Sequence, residues 1–157
     1  MEMYSSEPFG DADKVVATQV AALCWRMRKG IVQILLITSR DSGRWVLPKG
    51  WPVAKLTLAR AAAREAWEEA GVEGKVQDTP LGEFHYHKSV GTDESLHCTV
   101  IVHALRVQTL KSRFPETRQR RRTWFHAREA ADLVAEPQLQ DLLRRIDQAP
   151  DLLLGTA

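Results

Sequence analysis

The chain has 157 residues, 44% of them hydrophobic and 27% charged, which suits one domain with its own buried core. Its formal net charge of +2 names no partner, yet Arg118, Arg120, Arg121 and Arg122, with Lys111 and Arg113 upstream, concentrate positive charge in one stretch. No apolar run approaches the roughly 18 residues that cross a membrane, and MEMYSSEPFGDADK is no secretory leader, so a membrane partner is not expected.

In chain order, residues 1–13 read as a loosely held polar arm. VVATQVAALCW (Val15 to Trp25) and IVQILLITS (Ile31 to Ser39) read as two strands, joined by the basic turn RMRKG into an antiparallel hairpin. Arg44 to Leu47 is a short strand stopped by Pro48. A helix starts near Thr57, a fair N-cap, and ends at Gly71. Gly74 to Gln77 and Leu81 to Lys88 read as strands, and LHCTVIVHALRV (Leu96 to Val107) as a central strand buried on both faces. The segment 108–119 is irregular and basic, and Arg122 to Phe125 is a brief strand. Two helices follow, His126 to Ala135 and Pro137 to Ile146, the second with Pro at its first position. The tail over 150–157 is expected to fray. Cys24 and Cys98 lie in apolar runs without metal-type spacing and read as buried, reduced thiols, which suits a cytoplasmic protein. Strands and helices interleave in one α/β domain spanning 14–149.

The chemistry concentrates between Gly50 and Val72. At about 100° per residue, Glu65, Glu68 and Glu69 project within an arc of about 100°, with Arg64 at its edge. Ala59, Ala62, Ala63, Ala66 and Ala70 cover the other side, so this helix can lie close to a sheet. A glutamate cluster of this kind is most often a solvated face, with Arg64 and Glu68 forming an i, i+4 pair. Its hard oxygens also suit Mg²⁺ or Mn²⁺, which use one or two carboxylates beside waters and phosphates. A spare carboxylate next to such an ion can take a proton from water. The residue types therefore fit metal-assisted hydrolysis of a phosphate ester or anhydride.

Gly50, followed at the right spacing by Arg64-Glu65-Ala66-Trp67-Glu68-Glu69-Ala70-Gly71-Val72, resembles the Nudix box, with Leu56 where the pattern has its first Glu. Thr38-Ser39-Arg40, Arg44-Trp45-Val46-Leu47-Pro48 and Arg122-Thr123-Trp124-Phe125 look like the diphosphoinositol polyphosphate phosphohydrolase branch of that family. The resemblance implies a Nudix-type αβα sandwich with a mixed sheet, and a Mg²⁺- or Mn²⁺-dependent pyrophosphohydrolase. It implies metal on Glu65, Glu69 and the backbone carbonyl of Lys49, with Glu68 as ligand or general base and Arg64 beside it in the catalytic group. Arg40 and Arg122, with Thr38, Ser39 and Arg120, would meet the phosphates of a small-molecule polyphosphate substrate. Diphosphoinositol and diadenosine polyphosphates lead among the candidates. Leu56 favours a rival, a non-catalytic module binding polyphosphate or RNA.

Other residues carry weaker signals. Glu83, Glu94 and Glu116 can each supply an extra base or ligand, but read first as solvated carboxylates. His85, His87 and Lys88 offer one strand face to the substrate, or simply a polar strand edge. Apart from Phe114 and Trp124, aromatics for base stacking are missing around the arginines, so nucleic acid is the weaker partner. Trp51 can stack on a base or plug the core.

Overall fold

The computed structural model describes residues 4–6, 15–91 and 94–155. Its elements in chain order are β1 (Tyr4–Ser6), β2 (Val15–Arg28), β3 (Ile31–Thr38), β4 (Trp45–Val46), β5 (Lys49–Gly50), α1 (Leu58–Ala70), β6 (Val72–Val76), β7 (Gly82–Ser89), β8 (Ser95–Leu110), β9 (Arg122–His126), α2 (Ala127–Leu133) and α3 (Pro137–Gln148). A 3₁₀ turn over Pro150–Leu154 follows.

All the strands join one sheet whose spine runs β4-β3-β2-β8-β6. It is mixed: β2 and β8 are parallel from Val15 opposite Leu96 to Trp25 opposite Arg106, and the remaining pairings are antiparallel. The expected β2–β3 hairpin forms, with β2 running on to Arg28 and the turn tightened to Lys29-Gly30, both at positive φ. β8 is central, as its apolar run implies, and continues to Leu110, shortening the irregular segment that follows.

Alternation along the strands feeds two cores. Ala21, Leu23 and Trp25 of β2, Phe84 of β7 and Val100 and Val102 of β8 pack against Leu139, Leu142, Leu143 and Ile146 of α3 and the alanines of α2. Val20, Ala22 and Cys24 of β2, Leu35 and Ile37 of β3 and Leu105 of β8 meet Ala61, Ala62, Ala66 and Ala70 of α1. One helix on one face and two on the other make an αβα sandwich. With only methyl groups between backbone and sheet, α1 sits low on the strands, and its glutamate face is carried at their edge.

Both ends of α1 are locally specified. Thr57 Oγ1 accepts the backbone N–H of Arg60 at 3.1 Å. Gly71 takes φ 68°, and its N–H returns to Ala66 and Trp67 carbonyls. A side chain at Gly71 would run into Phe114, the Arg122 guanidinium and the Lys111 carbonyl.

The C-terminal tail corrects one expectation. Instead of fraying, Pro150–Leu154 makes a turn whose Leu153 is fully buried in the α3-side core. Of the N-terminal arm, only Tyr4–Ser6 is described, as a strand paired with Val15–Ala17; the rest lies outside the described residues. Among the described residues no helix is long and apolar enough to cross a membrane.

Candidate active-site cleft

The glutamates of α1 open into a cleft of about 580 Å³ between the helix, β5 and the ends of β2 and β7. Its walls include Glu65, Glu68, Glu69, Arg64, Ser39, Arg40, Lys49, Gly50, Trp51, Glu116 and Arg120. β5 holds one wall in place by pairing with β2, Lys49 opposite Ala21 and Gly50 opposite Val20. Gly50 is required for a close approach: a Cβ there would overlap the carboxyl group of Glu65. The first glycine of the motif thus makes room for one of its glutamates.

Glu65 and Glu69 form a pair, one turn apart. Glu69 is only 6% exposed, and its carboxyl is pushed up to about 9, first by burial and then by the hydrogen bond it donates to Glu65. Arg120 pulls in the other direction, with Nη2 at 3.6 Å from Glu69 Oε1, but burial prevails. Glu65 is also raised, again mainly by burial. The backbone N–H of Lys49 points at Glu69 Oε1 across 3.4 Å, so the Lys49 main chain adjoins the pair. Glu68 stands apart. It is half-exposed, and Arg64 Nε donates to its Oε1 at 3.0 Å.

Among the described residues no group of three or more His, Cys, Asp and Glu side chains is arranged to hold a metal ion unaided. The donor set here is smaller: two carboxyl groups close enough to share a proton, plus a neighbouring main chain. A hard divalent cation that fills most of its shell with water and phosphate needs no more than that. Replacing the shared proton by such an ion would also relieve the cost of two buried carboxyl groups. The residues fit a hard divalent cation.

The arginines divide in a way their sequence positions do not show. Arg120 reaches the cleft with its side chain 10% exposed, where Nε donates to Glu116 Oε1 at 2.9 Å and Nη1 to the Thr38 carbonyl at 3.1 Å. Arg40 also lines the cleft, but bonds Gln119 Oε1 at 3.1 Å and lies 3.8 Å from Glu116 Oε1. Arg122 is placed differently. It lies outside the cleft, donates from Nη1 to the Ala70 carbonyl at 2.6 Å and stands over the Phe114 ring, because it serves the exposed carbonyls at the end of α1. Burial lowers the pKa of its guanidinium. Thr38 is a tether instead of a cleft wall, its Oγ1 accepting the Arg121 backbone N–H at 2.9 Å. Ser39 lines the cleft and bonds the Ser42 hydroxyl at 2.7 Å.

Of the three extra carboxylates, Glu116 enters the cleft, and its backbone N–H bonds the Glu68 carbonyl at 3.0 Å. Glu83 instead faces His85, 3.6 Å away, and Glu94 is exposed outside the cleft walls. Strand alternation splits the trio on β7. Lys88 goes with Tyr86 into the cleft, while His85 and His87 turn to the other face, beside His97. Leu56 lines a separate depression with Arg60 and Trp67, so it does not touch the cleft. Trp51 stands at the cleft rim, 36% exposed, instead of plugging the core.

Among the wall residues that sequence reasoning missed, three are polar groups of the sheet. Gln19 and Tyr86 face each other across the sheet, the phenol donating to Gln19 Oε1 at 2.6 Å, and burial raises the Tyr86 pKa. The side chain of Lys49 was also overlooked, since only its carbonyl has a counterpart in the motif. Its ammonium lies over the Tyr86 ring, 5.2 Å from the centroid, and burial lowers its pKa. Strand parity would have put Lys88 and Tyr86 on one face; nothing local reveals Gln19.

Known proteins resemble the chain along most of its length. The NUDIX domain family model matches residues 17–146. Nudix hydrolase 12, mitochondrial, of Arabidopsis thaliana is 36% identical over 71% of this chain and 57% of its own length. Diphosphoinositol polyphosphate phosphohydrolase 3-alpha of Homo sapiens is 32% identical over 74% of this chain and 68% of its own. Among solved structures, the C. elegans Ap4A hydrolase superposes with a TM-score of 0.60, covering 85% of this chain and 97% of that one. At 18% identity that likeness shows the fold alone. The chain spans only about three fifths of the length of Arabidopsis relatives such as this one.

Proposed function

The chain belongs to the NUDIX family, and from that premise we propose that it is a divalent-metal-dependent pyrophosphohydrolase acting on a diphosphate linked to another moiety. The observation that carries this reading is the meeting, in one polar cleft, of the paired Glu65 and Glu69, the separate Glu68 and five cations: Arg40, Arg64, Arg120, Lys49 and Lys88. Water attacks one phosphorus of the anhydride, the bridging P–O bond breaks, and two phosphate-bearing products leave.

Glu65, Glu69 and the Lys49 carbonyl would hold Mg²⁺ or Mn²⁺. The ion would supply charge neutralisation on the phosphates and a lowered pKa for bound water. Glu68 is the base of the reaction. Arg64 on one of its oxygens orients it and leaves the other oxygen for a water proton. Arg120 holds Glu116 and Glu69 at fixed spacing, which sets the walls before substrate arrives. Diphosphoinositol and diadenosine polyphosphates head the substrate panel, supported by the relatives' names and by the polyanion-sized cleft.

The test is phosphate release from that panel with Mg²⁺, for the wild type and for Glu68→Gln and Glu69→Gln. Full activity in both variants would sink the mechanism. Polyphosphate binding that persists in EDTA, with no turnover of any panel member, would favour the binding-module reading raised by Leu56.

A further inference from the structure

The five cations of the cleft are not equivalent. Arg64 is paired with Glu68, Arg40 and Arg120 are each within ion-pair distance of Glu116, and Arg120 also of Glu69, so every arginine already has a carboxyl partner in the protein. Lys49 and Lys88 have no carboxylate within 4.0 Å among the described residues. Each instead lies over an aromatic ring: Lys49 Nζ 5.2 Å from the Tyr86 centroid, Lys88 Nζ 5.6 Å from that of Trp51.

An ammonium taken out of water without a counter-ion is unfavourable, and a ring face offsets only part of that cost. Lys49 is in that position: it is half-buried, and Glu136 and Glu69 act on it only at longer range. The rings also limit where the ammonium groups go. Tyr86 is fixed by its bond to Gln19, and Lys88 shares its strand and face, two residues on. Lys49 adjoins Gly50 and Glu69 through its own main chain, so it lies next to the carboxylate pair, and Lys88 lines the same cleft.

We propose that Lys49 and Lys88 form the phosphate-holding end of the cleft, contacting the non-reacting phosphates of the substrate, while Arg40 and Arg120 keep the carboxylates in place. The inference rests on reading the cleft as a phosphoanhydride hydrolase site, and it moves the substrate contacts from the arginines to residues outside the motif. Lysine suits this task as a mobile point charge that follows phosphates of varied spacing, whereas the arginine forks are committed to carboxylates.

The test uses inorganic tripolyphosphate and the metal-free protein, so that the metal cannot carry the binding. Calorimetric titrations of wild type, Lys49→Met, Lys88→Met and Arg128→Met are run at 50 and 200 mM salt (round values chosen for contrast, about a factor of four apart). Arg128 is an exposed cation on α2 outside the cleft and controls for net charge. Lys49→Met is expected to weaken binding about tenfold and Lys88→Met about threefold, each with a smaller salt dependence, and Arg128→Met to bind as wild type. In turnover the lysine variants raise KM while kcat stays within about threefold, a split that general damage to the fold would not produce.

Wild type that does not bind tripolyphosphate, lysine variants that bind within twofold of it, or an equal loss in Arg128→Met overturns the proposal. Should Lys49→Met fail to fold, the exposed Lys88→Met decides alone: unchanged affinity and salt dependence overturn it. Turnover of the panel by wild type, with tripolyphosphate binding unaltered in the lysine variants, sinks the lysine site and spares the hydrolase reading. Lysine-dependent binding without turnover of any panel member does the reverse.

Discussion

The cleft has an arginine flank and a lysine flank, alike in sign of charge and opposite in state. On the arginine flank Arg64 is tied to Glu68, Arg40 and Arg120 are tied to Glu116, and Arg120 also to Glu69 and the Thr38 carbonyl. On the lysine flank the ammonium groups rest on rings and meet no carboxylate at ion-pair distance among the described residues. Counting positive residues near an acidic motif therefore misjudges where an anion binds. A cation already neutralised by its own protein mainly shapes the site; one left over can receive a ligand.

The largest expected effect lies between the flanks. Glu69→Gln should lower kcat/KM by at least about 10³-fold, or roughly 4 kcal/mol of transition-state stabilisation, without unfolding the protein. Steady-state kinetics paired with a melting curve checks it, and an equal loss in both would mean that Glu69 supports the fold and not the reaction.

Exchanging the flanks sharpens the contrast. Arg120→Met breaks a largely buried ion-pair network and should cost about 3 kcal/mol, a melting point lower by roughly 8 °C, together with kcat. Lys49→Met removes a half-buried charge without a counter-ion, so its melting point should hold or rise while KM increases. Equal melting shifts in the two variants would erase the distinction.

A smaller effect follows from the carboxyl pair. Glu69 has a folded-state pKa of about 9, and that of Glu65 is raised too, so the folded protein binds protons that the unfolded chain releases. That contribution to stability is complete below the unfolded value near 4.5 and is lost as pH rises through about 9. The metal-free melting point should therefore fall by several degrees from pH 5 to pH 9, and added Mg²⁺ should restore more of it at the alkaline end. Scanning fluorimetry with EDTA or Mg²⁺ reads both.

The smallest effect is at Arg122. With its guanidinium on the Ala70 carbonyl, Arg122→Ala should cost about 1 kcal/mol of stability and leave kcat/KM within about threefold. A larger kinetic loss would return it to the substrate.

Much of the fold was legible because its signals are local. Thr57 and Gly71 bound the helix as caps, Pro137 opens the last helix, and the alanines of α1 mark the face that meets the sheet. The carboxylate cluster was equally plain, since 3.6 residues per turn place Glu65 beside Glu69. The cation assignments were not. Arg122 sits two residues from Arg120 and serves another element, because Arg120 belongs to the loop that folds over the cleft while Arg122 opens β9 beside the end of α1. Glu116 became a cleft wall only when the loop folded back onto α1, and Lys49 met Tyr86 only through β5, whose two residues give almost no strand signal. The buried turn at Leu153 likewise depends on a distant core.

The end of α1 is also a mechanical junction. The Gly71 carbonyl accepts the Lys111 N–H at 2.9 Å, the Glu68 carbonyl accepts the Glu116 N–H at 3.0 Å, and the Ala70 carbonyl accepts Arg122. Helix terminus and basic loop are thus sewn together by the main chain, and neither can open without breaking bonds of the other. Their amides should exchange with deuterium as one cooperative unit, so that any opening that frees the loop also loosens the turn bearing Glu68 and Glu69.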